Sequence, residues 1–234
     1  MAGFERVAAT NGDGCYRVEI GESEVKVLIT GMGRFAAEQS MKAAFEEVPD
    51  FCIASGLAGA LKSEHGVGDI LVARQVSEIK GGRTLRSDDD LLKLAARSGA
   101  KVVERILVSE RVIATVEEKR QLADSGDAAE MEGTYVLAAA ERKGIRSVAI
   151  RSVSDTLDRD LPLDFDRVIN ERGSVSIRRV LGQIALKPGR IGGLIRLADD
   201  SERAAGKLAD FLNEFVKAMP TTPWESAKAD AVAI

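Results

Sequence analysis

The 234-residue chain holds one histidine, His65, and two cysteines, Cys15 and Cys52, which are not at a metal-ligand spacing. That scarcity leaves almost no material for a zinc site or a Ser-His-Asp triad, and no metal is expected. No apolar run approaches the ~18 residues needed to cross a bilayer. The opening MAGFERVAAT has neither the basic start nor the apolar centre of a signal peptide, so the expected location is cytoplasmic. Positive charge is not in excess: 33 Lys and Arg are scattered among 37 Asp and Glu, for a net charge of −4. Without a basic field, nucleic acid is not an expected partner. Internal repeats and low-complexity linkers are also missing. The remaining chemistry must run on carboxylates, arginines, hydroxyls and backbone amides.

What is present is an alternation of short apolar runs with helix-period segments, the pattern of an α/β protein whose mixed, largely parallel sheet is covered by helices. At 45% apolar the chain can bury one sizeable core. A single domain is expected over 1–218, with a tail over 219–234. Strands are expected at VEI, VKVLI, FCIA, DILVA, RILVS and SVAIRSV, and helices over 34–47, 88–98, 117–124, 130–143, 175–186 and 201–218. Ser87 before three aspartates reads as a helix cap, Gly144 as a helix stop, and KPGR at 187–190 as a break between helices.

Two glycine clusters follow predicted strands. VKVLITGMGRFAAE contains G-x-G-x-x-A at Gly31, Gly33 and Ala36. It suits a dinucleotide fold, a turn without a ligand, or a close backbone approach to some other ribose or anion. The dinucleotide reading wants an acid at the end of the next strand, and Asp50 lies before that strand instead. The second cluster reads as a turn, Gly56-Leu57-Ala58-Gly59, followed by Gly66-Val67-Gly68-Asp69, where packing is the favoured explanation.

Two acids stand at the ends of segments apolar enough to be buried. Glu132 heads the helix of AEMEGTYVLAAAERKG, and Asp155 follows Ser154 at the tip of the strand in RSVAIRSVSD. Acids so placed are hard to dismiss as surface decoration. One helix and one strand separate them, and a β/α unit of that kind should return the chain to one edge of the sheet, where ligands sit in open α/β folds.

These motifs carry a resemblance. AEMEG followed by RSVSD, with TGMGRFAA and IASGLAGALKSEHGVGDILVA, is similar to the purine nucleoside phosphorylase and methylthioadenosine/S-adenosylhomocysteine nucleosidase superfamily over about residues 24 to 160. SIRRVLGQIALKPGRIGGLIRLADD more weakly resembles the bacterial hopanoid-associated phosphorylases. The resemblance implies the three-layer αβα nucleoside phosphorylase-like fold and cleavage of the N-glycosidic bond of a purine nucleoside or adenosyl derivative, without an organic cofactor. It implies that Glu132 binds the ribose hydroxyls and that Met131 packs on the sugar, with Met32 and Gly33 approaching it from the first turn. Asp155, oriented by Ser154, would protonate N7 of the purine. Val112, Ile113 and Ala114 would offer apolar surface and backbone hydrogen bonds to the base, with Gly56 also in the substrate site. A homodimer or larger ring is implied as well.

The chain departs from that pattern in two places. It begins at what reads as the segment after the family's first strand, so that strand and its catalytic acid are expected to be missing, with Glu5 a weak substitute. Phosphorylases carry Arg and Ser where this chain has Ala54 and Leu57, leaving Arg34 and Ser55 as candidate phosphate ligands; Arg151 is expected in a structural ion pair. The acceptor, phosphate or water, therefore stays open, with phosphate slightly ahead. The alternatives are a nucleoside-binding protein of the same fold with impaired turnover and an NAD-binding protein.

Overall fold

The strand Arg146–Asp155 is buried along nearly its whole length and organises the rest. Its side chains alternate faces, as a pleated strand requires. Ala149 and Val153 join one apolar cluster, while Val148 and Ile150 join another on the opposite face. Both faces are covered by helices, which is why this stretch reads as a continuous apolar run rather than an alternating one.

The computed structural model describes residues 5–7, 14–79, 81–168, 178, 180, 182–183 and 188–220. In chain order the strands are β1 (Glu5–Val7), β2 (Cys15–Ile20), β3 (Ser23–Leu28), β4 (Phe51–Ala60), β5 (Ile70–Glu78), β6 (Thr84–Arg86), β7 (Lys101–Val108), β8 (Ala128–Glu130) and β9 (Arg146–Asp155). The helices are α1 (Arg34–Ala44), α2 (Asp89–Arg97), α3 (Val116–Leu122), α4 (Gly133–Arg142), α5 (Phe165–Val168) and α6 (Ile191–Lys217). Most of the helix expected over 175–186, and the tail from 221 onward, lie outside the described residues.

The main sheet has the order β6-β5-β7-β8-β4-β9 and is mixed, as expected. The long pairs β4–β9 and β5–β7 are parallel, as is β7–β8; β4–β8, β5–β6 and β5–β9 are antiparallel. Because β9 also pairs with β5, the sheet curls until β5, β7, β8, β4 and β9 close a ring. α1 and α4 pack on one face through Ala37, Tyr135, Val136, Leu137 and Ala138. α2 and α6 cover the other, where Leu208, Phe211 and Phe215 recur at helical spacing and the two phenyl rings stack with centroids 5.7 Å apart. The result is three layers. Among the described residues no helix is long and apolar enough to cross a membrane.

Several local expectations are corrected. VKVLI does not enter the main sheet: β3 pairs antiparallel with β2, which pairs with β1, in a separate three-stranded sheet. FCIA continues through the second glycine cluster, so Gly56-Leu57-Ala58-Gly59 is strand rather than turn, held by parallel pairing with Arg151 through Asp155. The helix expected from residue 130 begins at Gly133, because Ala128–Glu130 is drawn into the sheet as β8. The cap of α2 is Asp88, whose Oδ1 accepts the N–H groups of Asp90 and Leu91 at 3.0 and 3.1 Å. Ser87 instead accepts the N–H of Ala149 at 3.2 Å.

Asp88 also holds Arg146 at the start of β9, with Nε to Oδ2 at 2.8 Å and Nη2 to Oδ1 at 2.7 Å. One carboxylate thus caps a helix and ties it to the central strand. Replacing it by alanine removes both functions, and Asp88→Ala should lower the unfolding free energy by about 2 kcal/mol. Urea unfolding of the variant beside wild type measures this; an unchanged midpoint would show that neither interaction contributes.

Candidate active site

At the end of β8, Glu130 turns its carboxylate inward against Arg151 of β9, both side chains being at least 97% buried. Arg151 Nη2 and Nε lie 2.5 and 3.2 Å from Glu130 Oε2. The same carboxylate accepts the N–H groups of Glu132 and Gly133, at 3.0 and 2.8 Å, and so caps α4 from two residues upstream. Arg151 Nη1 donates to the carbonyls of Ala54 and Ile150. A buried pair is tolerable only when its remaining hydrogen-bonding capacity is met in this way. Arg151 is therefore the structural ion-pair partner expected from the sequence.

Glu132 occupies the cap position of α4, yet its side chain does not cap the helix. Glu130 has taken that task. The Glu132 carboxylate reaches Gly33, whose N–H donates to Oε1 at 2.5 Å. Gly33 has a φ of +83°, in the region that side chains strain to adopt, and this turns its N–H toward the acid. A Cβ there would lie 3.6 Å from Met131 Cε. Gly33, Met131 and Glu132 thus come together. Met32 is half-buried beside them in sequence. Burial, followed by the negative charge of Glu130, pushes the Glu132 carboxyl up to about 7; the Gly33 N–H and the Arg151 charge act in the opposite sense.

Asp155 ends β9. Its Oδ1 accepts from Ser154 Oγ at 2.8 Å, and its Oδ2 pairs with Lys119 Nζ of α3 at 2.6 Å. Ser154 Oγ also lies 3.3 Å from the carbonyl of Ala58. Gly59 leaves room for this arrangement, since a Cβ at that position would fall 2.8 Å from Asp155 Oδ2 and the carboxylate held by Lys119 would have to move.

Gly59 pairs with Ala129 of β8 on one side and with Asp155 of β9 on the other. The ends of β8 and β9 therefore stand two strand spacings apart, roughly 10 Å. The helix α4 and the strand β9 that follows it return the chain to this edge, and β4, which pairs with both β8 and β9, holds their oppositely directed ends together there. Glu132 faces Gly33 from this edge, while Asp155 faces Lys119.

Other expected residues are placed less favourably. The N–H of Ala114 is taken by Glu118 at 3.1 Å and its carbonyl by the N–H of Leu161 at 2.7 Å, so its backbone does not offer a base the hydrogen bonds expected. The Val112 carbonyl lies 3.5 Å from Arg111 Nη1, and Ile113 packs on Leu61, Leu107 and Ala129. Gly56 lies in β4 beside Arg151. The candidate phosphate ligands do not converge: Arg34 pairs with Glu38 at 3.1 Å and lies over the Tyr135 ring, whereas Ser55 is exposed on the face of β4 opposite Gly56.

Glu130 and Lys119 were missed. Glu130 is legible afterwards as the partner that a buried arginine at position 151 demands; Lys119, in VEEKRQ, gives no such signal. One group with metal-ligand atoms occurs among the described residues, Glu64, His65 and Asp127, all within 4.8 Å. The oxygens of Asp127 already accept from Lys62 Nζ at 2.6 Å and from the Arg105 N–H at 3.0 Å, which makes it a filled ion pair beside His65 rather than an open donor set.

Comparison with known proteins gives a consistent result. A family model described as the phosphorylase superfamily matches residues 4–182. A 5'-methylthioadenosine/S-adenosylhomocysteine nucleosidase of Shewanella halifaxensis is 25% identical over 207 residues, covering 77% of this chain and 86% of the relative. The structure of a futalosine hydrolase mutant of Helicobacter pylori aligns with a TM-score of 0.70 at 18% identity, over 92% of this chain and 90% of that one. An S-adenosylhomocysteine nucleosidase of Streptococcus pyogenes, in complex with 5-methylthiotubericidin, aligns with a TM-score of 0.69 at 18% identity, over 94% and 88%. These structural likenesses concern the fold.

The raised carboxyl has a consequence for stability. With a folded-state value of about 7 against an ordinary 4.5, folded Glu132 retains a proton that the unfolded chain has released. Its contribution therefore makes the protein less stable as pH rises from 4.5 to about 7, by at most about 3 kcal/mol. Glu132→Gln should remove this part of the slope, so the variant's stability relative to wild type should grow across the window. Urea midpoints of both proteins at several pH values measure it; parallel curves would contradict it.

Proposed function

This chain belongs to the phosphorylase superfamily, and we propose that it is a nucleosidase, hydrolysing the N-glycosidic bond of a purine nucleoside or adenosyl derivative. The observation that carries this reading is the pair of carboxylates, Glu132 and Asp155, following β8 and ending β9 on either side of Gly59. The names of the curated relatives agree with it.

In this reading Glu132 accepts hydrogen bonds from the ribose hydroxyls, with Met131 against the sugar and Met32 and Gly33 approaching it. As the glycosidic bond lengthens, positive charge grows on the ribosyl ring, and a nearby carboxylate stabilises that charge more in the transition state than in the bound substrate. Asp155, oriented by Ser154, serves the opposite end of the bond, where the departing purine gathers electron density and needs a proton. Val112 and Ile113 supply apolar surface for the base. Water is favoured over phosphate as acceptor because Arg34 is engaged by Glu38 and Tyr135 while Ser55 faces away from Gly56.

The test is release of free base from a panel of adenosine derivatives with and without inorganic phosphate. Release at the same rate in both conditions is expected; a rate that requires phosphate would make the protein a phosphorylase, and binding without release would make it a nucleoside-binding protein. Asp155→Asn should lower kcat by about 10²-fold or more with a smaller change in KM. Glu132→Gln should damage both constants. Small, equal effects of the two changes would remove these residues from the reaction.

A further inference from the structure

Lys119 is only 1% exposed. A buried ammonium is costly unless each proton finds an acceptor. Here the acceptors are Asp155 Oδ2 at 2.6 Å, the Thr156 carbonyl at 2.7 Å and the Arg159 carbonyl at 3.2 Å. Two of the three lie in the segment directly after β9, so Lys119 clamps the strand's exit as well as its terminal acid. Among the described residues it is the one cation paired with Asp155.

This pairing raises a difficulty that the sequence does not disclose. A neutral acid is what a departing purine requires, but both Asp155 oxygens already accept hydrogen bonds, Oδ2 from Lys119 and Oδ1 from Ser154. An acid engaged on both oxygens is most directly supplied with a proton by a donor already bonded to it, and the Lys119 ammonium lies in contact at 2.6 Å.

Resting on the nucleosidase reading, we propose that Lys119 is the positioning residue that loads Asp155 with the proton delivered to the leaving base. The Nζ–H bond breaks as Oδ2–H forms, and Asp155 passes its proton to a ring nitrogen of the purine as the glycosidic electron pair moves onto the base. One proton has then moved from ammonium to base. Lys119 is left as a neutral amine, and Asp155 is again a carboxylate. Water adds to the ribosyl cation and releases one proton, which restores the ammonium and balances the cycle. The intermediate pairing of neutral amine with neutral acid is admissible here because burial penalises an ion pair more than an uncharged one.

Lys119→Arg separates this role from a purely structural one. Arginine keeps the charge and the donors but does not give up a proton. The proposal expects kcat to fall by about 10²-fold with KM changed no more than a few-fold, and the alkaline limb of the wild-type pH–rate profile to disappear. Turnover by Lys119→Arg within about threefold of wild type, with the alkaline limb intact, overturns it, because tethering alone would then suffice. Should the larger side chain disturb folding, Lys119→Ala provides a second reading: small primary ammonium ions added to the solution should restore base release, faster for the more acidic ions. Restoration that ignores their acidity, or a Lys119→Ala protein as active as wild type, overturns the proposal. The failures are distinguishable. An active wild type indifferent to Lys119 leaves the nucleosidase reading standing, whereas a wild type that releases no base from any nucleoside overturns both.

Discussion

The buried pair of Glu130 with Arg151 is the interaction from which the candidate site follows. It gathers β4, β8, β9 and the first turn of α4 around one carboxylate and one guanidinium. Two acids, Glu130 and Glu132, stand two residues apart near a single buried cation, and the cation is spent on the first. The second is left with a backbone N–H as its nearest partner, in a buried position beside a like charge. Burial is the main cause of the raised proton affinity of Glu132, and the capping of α4 by Glu130 adds to it by placing a second negative charge alongside. A side chain that capped α4 in the ordinary way could not also have pointed at Gly33.

The two carboxylates keep different electrostatic company. Glu132 faces an amide and a neighbouring acid, whereas Asp155 faces an ammonium and a hydroxyl. Environments that treat two like groups differently are a common way for one site to divide roles between them. The scaffold for that division is β4, whose small residues permit both approaches: Gly56 lies beside Arg151, Ala54 and Ala58 offer their carbonyls, and Gly59 leaves room for Asp155.

Much of this was legible in the sequence, and what was not has physical causes. Glu132 and Asp155 announced themselves as acids at the ends of apolar segments, and β9 and the Gly33 turn lie where their patterns put them, whereas α4 starts later than its pattern suggests. β8 escaped because three residues cannot display a period of two. The origin of β3 in a separate sheet escaped because strand, glycine turn and helix read alike whichever sheet the strand joins. Gly56 to Gly59 misled because glycines usually punctuate strands; here they thin one to admit the side chains of its neighbour. Lys119 was invisible for a different reason. A lysine among glutamates and arginines on a short helix reads as a solvated face, and only the tertiary fold reveals that this one turns inward.

The period of the strand also bears on the acceptor. Ser55 and Gly56 are adjacent in sequence, yet the pleat sends them to opposite faces, so a hydroxyl at 55 and groups gathered around Arg151 cannot serve one ligand. Nor is the position where phosphorylases carry an arginine simply vacant. Ala54 is buried in the core with its carbonyl bonded to Arg151, and a long cationic side chain there would have to displace packed neighbours. The guanidinium that this region does possess is fully committed to Glu130 and to backbone carbonyls. A phosphate arriving at β4 would find its positive charge already neutralised, whereas water asks for no such cradle. The same ion pair that holds α4 in place therefore also withholds the buried guanidinium of this region from an anion.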